Sequence, residues 1–219
     1  MDSNLYEYLN KNRTYLEWKE RLQILFSIIK GLYNIHEKGF VHKDFHTGNI
    51  LKGGDFYISD MGLSGPVICD QDSKKKKELY GIMPYLSPEV LRGKPYTQAA
   101  DIYSLGMIIY VLATGHQPFD DVSHDFHLSL DICRNVCPKI DKAIIPEFLF
   151  DIMQQYWDQD PFKRPTSKQL YDLFSSWITI PENDQFFLER VMIKNEILKK
   201  LKKVDKYLSN QNAINGNKI

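Results

Sequence analysis

The sequence predicts a mostly α-helical fold, a helical bundle carrying one small β-hairpin, and three observations lead there. Apolar residues recur at intervals of three and four in Leu22, Leu25, Phe26, Ile29, Leu32 and Ile35, which places one stripe along one helix face. Residues 101–114 are apolar nearly all round, with Ile102, Leu105, Met107, Ile108, Ile109, Val111 and Leu112, the pattern of a helix buried on every side. A single stretch reads as paired strands: Asn49-Ile50-Leu51-Lys52 and Phe56-Tyr57-Ile58-Ser59 flank the turn-forming Gly53-Gly54-Asp55.

Taken in order, a short helical stretch around Leu5 and Leu9 comes first, and Gly39 is the stop signal for the helix over 22–35. The hairpin follows, then a polar stretch over 64–79 with no period. After the buried helix come two amphipathic stretches. One carries Phe148, Leu149, Ile152, Met153, Tyr156 and Trp157, the other Leu170, Leu173, Phe174 and Trp177. Past Pro181 a charged helix over 184–208 leads into an Asn- and Lys-rich end expected to fray. The chain therefore divides into a unit over 1–180 and a segment over 181–219, a charged C-terminal helix with a disordered tail.

The 219 residues balance 28 Lys and Arg against 28 Asp and Glu, so no general field draws in a phosphate backbone or an anionic bilayer. Nucleic acid and membrane are not expected partners. The longest apolar run, 107–113, is far short of the ~18 residues that a membrane span needs. No basic region followed by an apolar stretch opens the chain. Three cysteines without framework spacing suit a reducing compartment, so cytosol or nucleus is expected.

The chemistry concentrates in His42-Lys43-Asp44-Phe45-His46-Thr47-Gly48-Asn49, followed by Ser59-Asp60-Met61-Gly62. These residues resemble the catalytic loop H-R-D-x-x-x-x-N and the metal-binding turn D-F-G of the protein kinase family. Three further segments continue the resemblance. Pro84-Tyr85-Leu86-Ser87-Pro88-Glu89 is similar to the A-P-E segment with Ser for Ala, Asp101-Ile102-Tyr103-Ser104-Leu105-Gly106 to the start of the family's buried central helix, and Trp157 to Pro165 to W-x-x-x-P-x-x-R-P. Together they span roughly residues 5–177, and the wording of the catalytic loop looks closest to the tyrosine-kinase-like, Ser/Thr-directed branch.

The resemblance implies the fold of a kinase large (C-terminal) lobe and the transfer of the ATP γ-phosphoryl group to a protein Ser or Thr hydroxyl, with Mg²⁺ as cofactor. Asp44 is the expected acceptor of the hydroxyl proton. The Asp60 carboxylate and the Asn49 carbonyl are the expected oxygen ligands of Mg²⁺ and the nucleotide-binding pair. Gly62 lets the chain turn behind Asp60, and His42 packs beneath the loop. Glu89 and Arg164 are expected as a buried ion pair, and Asp101 as a structural residue opening the central helix.

Departures from the family pattern carry their own expectations. His46 stands where a Lys would hold the γ-phosphate, and a mostly neutral imidazole stabilises developing charge less. Lys43 stands where an Arg would fork around an activation-segment phosphate, so control through Ser64, Ser73 or Tyr80 should be looser. Met61 replaces the Phe of the metal turn. No G-x-G-x-x-G occurs in the chain, and the ATP-binding Lys and its Glu partner belong upstream of the first helix in this family. The chain is thus expected to be an isolated C-lobe, inactive on its own. Apolar side chains around Met61 and the 22–35 helix are expected to stay exposed, inviting self-association or a partner.

Two other readings compete. A non-catalytic lobe serving as a protein-binding module would not bind Mg-ATP; a small-molecule phosphotransferase of kinase-like fold shares H-x-D-x-H-x-G-N but lacks the Pro88-Glu89 and Arg164-Pro165 elements. Cys133, Cys137, His124 and His127 do not match a four-ligand metal spacing. The lysine runs 74–77 and 199–203 read as solvated surface.

Overall fold

The computed structural model describes residues 3–12, 16–66, 81–178 and 187–216. Helix α1 (Leu5–Asn12) starts on Asn4, whose Oδ1 accepts the Glu7 N–H at 2.9 Å. Helix α2 (Trp18–Glu37) begins ahead of its apolar stripe because Glu17 and Glu20 form a capping box that satisfies the first free N–H groups. It ends at Gly39, whose φ of 76° is open to glycine at little cost.

Strands β2 (Ile50–Lys52) and β3 (Phe56–Ile58) form the expected hairpin, paired Ile50 to Ile58, Leu51 to Tyr57 and Lys52 to Phe56. A second antiparallel pair joins β1 (Phe40–Val41) to β4 (Gly65–Pro66). This pair was not anticipated: two residues per strand, one strand being Gly-Pro, leave no alternation to read. The pairing brings together the two ends of segment 42–64, which carries both His42–Asn49 and Asp60–Gly62.

Helix α4 (Gln98–Thr114) is the axis of the molecule, with every residue from Ala100 to Ala113 buried. Helix α6 (Glu147–Tyr156) and α2 pack on it, α3 (Pro88–Leu91) pairs with α5 (Phe126–Cys133), and α7 (Ser167–Ile178) packs on α2. Gly106 is where α4 meets Trp157, since a Cβ there would fall 2.5 Å from the indole Nε1. At the other end Arg21 reaches across from α2 and donates to the carbonyls of Leu112 and Ala113, acceptors that the helix itself leaves free.

The apolar face of α2 is not an open surface. It is covered by α7, by β3 and by helix α8 (Phe187–Gly216), and Ile28, Ile29 and Leu32 have no exposure. Met61, 41% exposed, does remain at the surface as expected. Helix α8 runs on to Gly216 instead of ending near 208 and packs Leu201, Ile197, Leu198, Val204 and Leu208 onto the core. Its Asp205 accepts the Trp18 N–H at 3.0 Å, capping α2 from outside, while Lys199, Lys200, Lys202 and Lys203 face solvent. The lysines hide the apolar stripe from a composition reading. No helix among the described residues is long and apolar enough to cross a membrane.

Candidate active site

The loop from His42 to Asn49 is held from behind by one buried carboxylate. Asp101, on the first turn of α4 and 2% exposed, accepts the backbone N–H of His42 at 2.8 Å and of Lys43 at 3.2 Å. His36, from the last turn of α2, donates to the same Oδ2 at 2.8 Å, and its other nitrogen meets Ser167 Oγ of α7 at 3.0 Å. Three helices are thereby fixed to the loop. The clamp holds Lys43 at φ 72°, a left-handed conformation that a non-glycine residue adopts only when its surroundings impose it.

His42 is fully buried and joins the two halves of the site. Its Nδ1 accepts the Asp44 N–H at 3.3 Å, which puts the ring proton on Nε2, and that proton is donated to the Ser59 carbonyl at 3.0 Å. Ser59 in turn donates its N–H and its hydroxyl to the Asn49 carbonyl, at 2.8 and 3.0 Å. The residue next to Asp60 is therefore bonded to both His42 and Asn49.

Asp44 has two unlike carboxylate oxygens. Oδ2 accepts from Asn49 Nδ2 at 3.2 Å, and the same amide donates to the Asp44 backbone carbonyl at 2.9 Å. Oδ1 is sheltered and has no hydrogen-bond donor among the described residues. His46 Nε2 lies 3.4 Å from it. Gly81, at φ 103°, passes so close that a Cβ would lie 3.4 Å from this oxygen. A carboxylate oriented by Asn49, whose other oxygen faces only a neutral imidazole N–H, has the chemistry to take a proton from a hydroxyl brought to it.

His46 is spoken for. Its Nδ1 accepts the Gly48 N–H at 3.0 Å, capping the 3₁₀ turn Thr47–Asn49, so the neutral ring carries its proton on Nε2, facing Asp44. Burial holds the imidazole pKa below its ordinary value, a pull that the neighbouring Asp44 charge opposes. The ring is a neutral hydrogen-bonding group at pH 7 and not a stand-in for a lysine.

Because both Asn49 side-chain amide hydrogens point at Asp44, the side-chain oxygen Oδ1, unlike the backbone carbonyl that Ser59 occupies, is left for another partner. Asp60 is exposed, stands at φ 56° and caps the 3₁₀ turn Met61–Leu63 without using its carboxylate. A Cβ at Gly62 would come within 3.3 Å of Asp60 Oδ1, so the bare glycine keeps that oxygen uncrowded. These two hard oxygens, on residues tied together through Ser59, fit the preference of Mg²⁺. Lys43 carries its ammonium against Gly65 of β4, where an added Cβ would sit 3.0 Å from Nζ.

Glu89 and Arg164 lie apart from this cluster, beneath the Pro88 turn. The guanidinium forks onto the carboxylate at 2.7 and 2.8 Å and also donates to the Asp158 and Ala99 carbonyls at 2.9 and 2.8 Å. Sequence reasoning missed a polar triangle beside the loop. Thr47 Oγ1 meets the Tyr85 hydroxyl at 3.1 Å, that hydroxyl donates to Gln117 Oε1 at 2.6 Å, and Gln117 Nε2 donates to Thr47 Oγ1 at 3.4 Å. No motif marks Gln117; only its place after the α4 stop at Gly115 hints at a turn. Of the expected phosphate acceptors Ser64 donates to the Met61 carbonyl, while Ser73, Tyr80 and the lysines 74–77 lie outside the described residues. His124 is engaged with the Phe119 carbonyl at 3.0 Å.

Residues 1–177 match the family model of the protein kinase domain, and the chain belongs to the protein kinase family. This family transfers phosphate from ATP to proteins, generally with Mg²⁺. The chain is similar to a probable serine/threonine-protein kinase of Dictyostelium discoideum, 32% identical over 169 residues, covering 76% of this chain and 10% of the relative. It is also similar to a probable serine/threonine-protein kinase of Encephalitozoon cuniculi, 32% identical over 180 residues, covering 81% and 30%. The serine/threonine/tyrosine-protein kinase HT1 of Arabidopsis thaliana is 27% identical over 165 residues, covering 74% and 41%. The chain thus spans less than half the length of each of these relatives.

Proposed function

We propose that this chain is the catalytic lobe of an ATP-dependent protein kinase directed at Ser or Thr hydroxyls, with residues 1–180 as the lobe and 181–219 as an added helical segment. The observation that carries the reading is the state of Asp44: one oxygen held by Asn49, the other sheltered and facing His46 Nε2 at 3.4 Å, with no closer donor among the described residues. Asp44 accepts the proton of the incoming hydroxyl and orients that oxygen toward the phosphorus. Asn49, while positioning Asp44 through its amide, offers its carbonyl to Mg²⁺, and Asp60 offers its carboxylate. The metal, when bound, neutralises charge on the phosphate oxygens of ATP. His46 keeps the loop turn closed and presents a neutral N–H toward Asp44. The Glu89–Arg164 pair and the Thr47–Tyr85–Gln117 triangle hold the surface on which a protein substrate rests.

The test is a Mg-ATP titration of the chain followed by NMR. With no Gly-rich loop in the sequence to close over the phosphates, the expected affinity is weak, on the order of millimolar, with shift changes centred on Asn49, Asp60 and Gly62. Changes confined to other surfaces, or no change at all with saturating nucleotide, would contradict the reading and favour a non-catalytic binding lobe.

A further inference from the structure

A groove of about 310 Å³ lies between the end of α4 and helix α5. Its apolar lining includes Phe119, Leu128, Val122 and Val136, and the two valines are 48% and 44% exposed, large side chains left without a cover. Its charged groups are Asp120, Asp121 and Asp131 against the single Lys139. Asp120 is paired with His116 at 3.0 Å, whereas Asp121 and Asp131 have no ionic partner among the described residues. The field is felt within the groove: the Tyr110 hydroxyl is pushed up by burial and then by the charges of Asp120 and Asp121.

The groove is attached to the site. Its Phe119–Val122 wall follows directly on Gln117, which bonds to Thr47 of the catalytic loop and to Tyr85 of the segment beneath it.

We propose that the groove docks a basic segment of the protein substrate, an aliphatic side chain flanked by Lys or Arg, and so directs the enzyme toward acceptors in basic surroundings. The inference rests on the kinase reading above and names the substrate class for that site. The aliphatic side chain covers Val122 and Val136, which alone would bind weakly and without direction. The flanking cations meet Asp121 and Asp131, carboxylates with no ionic partner among the described residues, and an acidic segment would meet the same charges as repulsion.

The test measures binding in the absence of nucleotide, so its outcome does not depend on phosphoryl transfer. Two fluorescein-labelled peptides, one with Ser followed by Arg-Leu-Arg and one with Ser followed by Glu-Leu-Glu, are titrated with the full chain and followed by anisotropy. The basic peptide should bind about tenfold more tightly, and the gap should narrow as added salt screens the contact. Asp121→Lys alone should shrink that preference, and Asp121→Lys with Asp131→Lys should reverse it. Equal affinity for both peptides, tighter binding of the acidic one, or a preference unmoved in folded Asp121→Lys protein would overturn the proposal. Discrimination between the two peptides, together with no shift at Asn49, Asp60 and Gly62 in the Mg-ATP titration, would leave the groove assignment standing and count against the kinase reading.

Discussion

The carboxylate of Asp101 accepts the backbone N–H of His42 at 2.8 Å, across 59 positions of sequence, and this bond fixes the catalytic loop to the central helix. Because the same carboxylate also receives Lys43 N–H and His36 Nε2, an amide in its place would present an NH₂ group to a set of donors. Asp101→Asn should therefore cost about 2–4 kcal/mol, the range for breaking a buried charge-assisted network. Urea denaturation measures it, and a loss well under 1 kcal/mol would show that the clamp is dispensable.

Arg164 uses the fork of its guanidinium on Glu89 and its remaining N–H groups on two carbonyls. A lysine keeps the charge but cannot satisfy those acceptors in that plane. Arg164→Lys is expected to destabilise the protein by about 2–3 kcal/mol. Glu89→Gln should cost a similar amount, by leaving a buried cation short of its partner. The double substitution should cost less than the sum of the two, as read from a double-mutant cycle.

The pH dependence expected of His46 follows from the direction of its shift. Burial depresses the folded-state pKa below the ordinary imidazole value, so the unfolded chain binds the proton more readily. The stabilising contribution is complete above the unfolded value and is lost as the pH falls through the folded one. Between about pH 7.5 and about pH 5 the parent should lose more stability than His46→Gln, which cannot titrate. Parallel stability curves for the two proteins would show that His46 is not buried in the neutral form.

Much of the site is legible in sequence because its polar residues are packed into one short stretch. Asp44, His46 and Asn49 fall within six residues, and Asp60 follows the hairpin whose turn is plainly marked by Gly53 and Gly54. The buried central helix is equally plain, since α4 offers no polar face. What escapes notice shares a different physics. The Asp101 clamp acts on backbone N–H groups, which carry no residue identity, and its His36 partner looks like any polar residue near a helix end. Gln117 reaches the loop only through a tertiary contact. In α8 the exposed lysines dominate the composition, although Leu201 and its neighbours decide where the helix lies.

The measurement that bears most directly on the account compares Asp44→Asn with Asp60→Asn when the lobe is joined to a Gly-rich upper lobe, recording Mg-ATP affinity and single-turnover transfer side by side. Asp44 is assigned to the hydroxyl, so its replacement should lower the rate by about 10²- to 10⁴-fold and leave Mg-ATP affinity within about twofold. Asp60 is assigned to the metal, so its replacement should weaken Mg-ATP binding as well as the rate. Transfer at the parental rate by Asp44→Asn would contradict the assignment of the general base and, with it, the catalytic reading of this lobe.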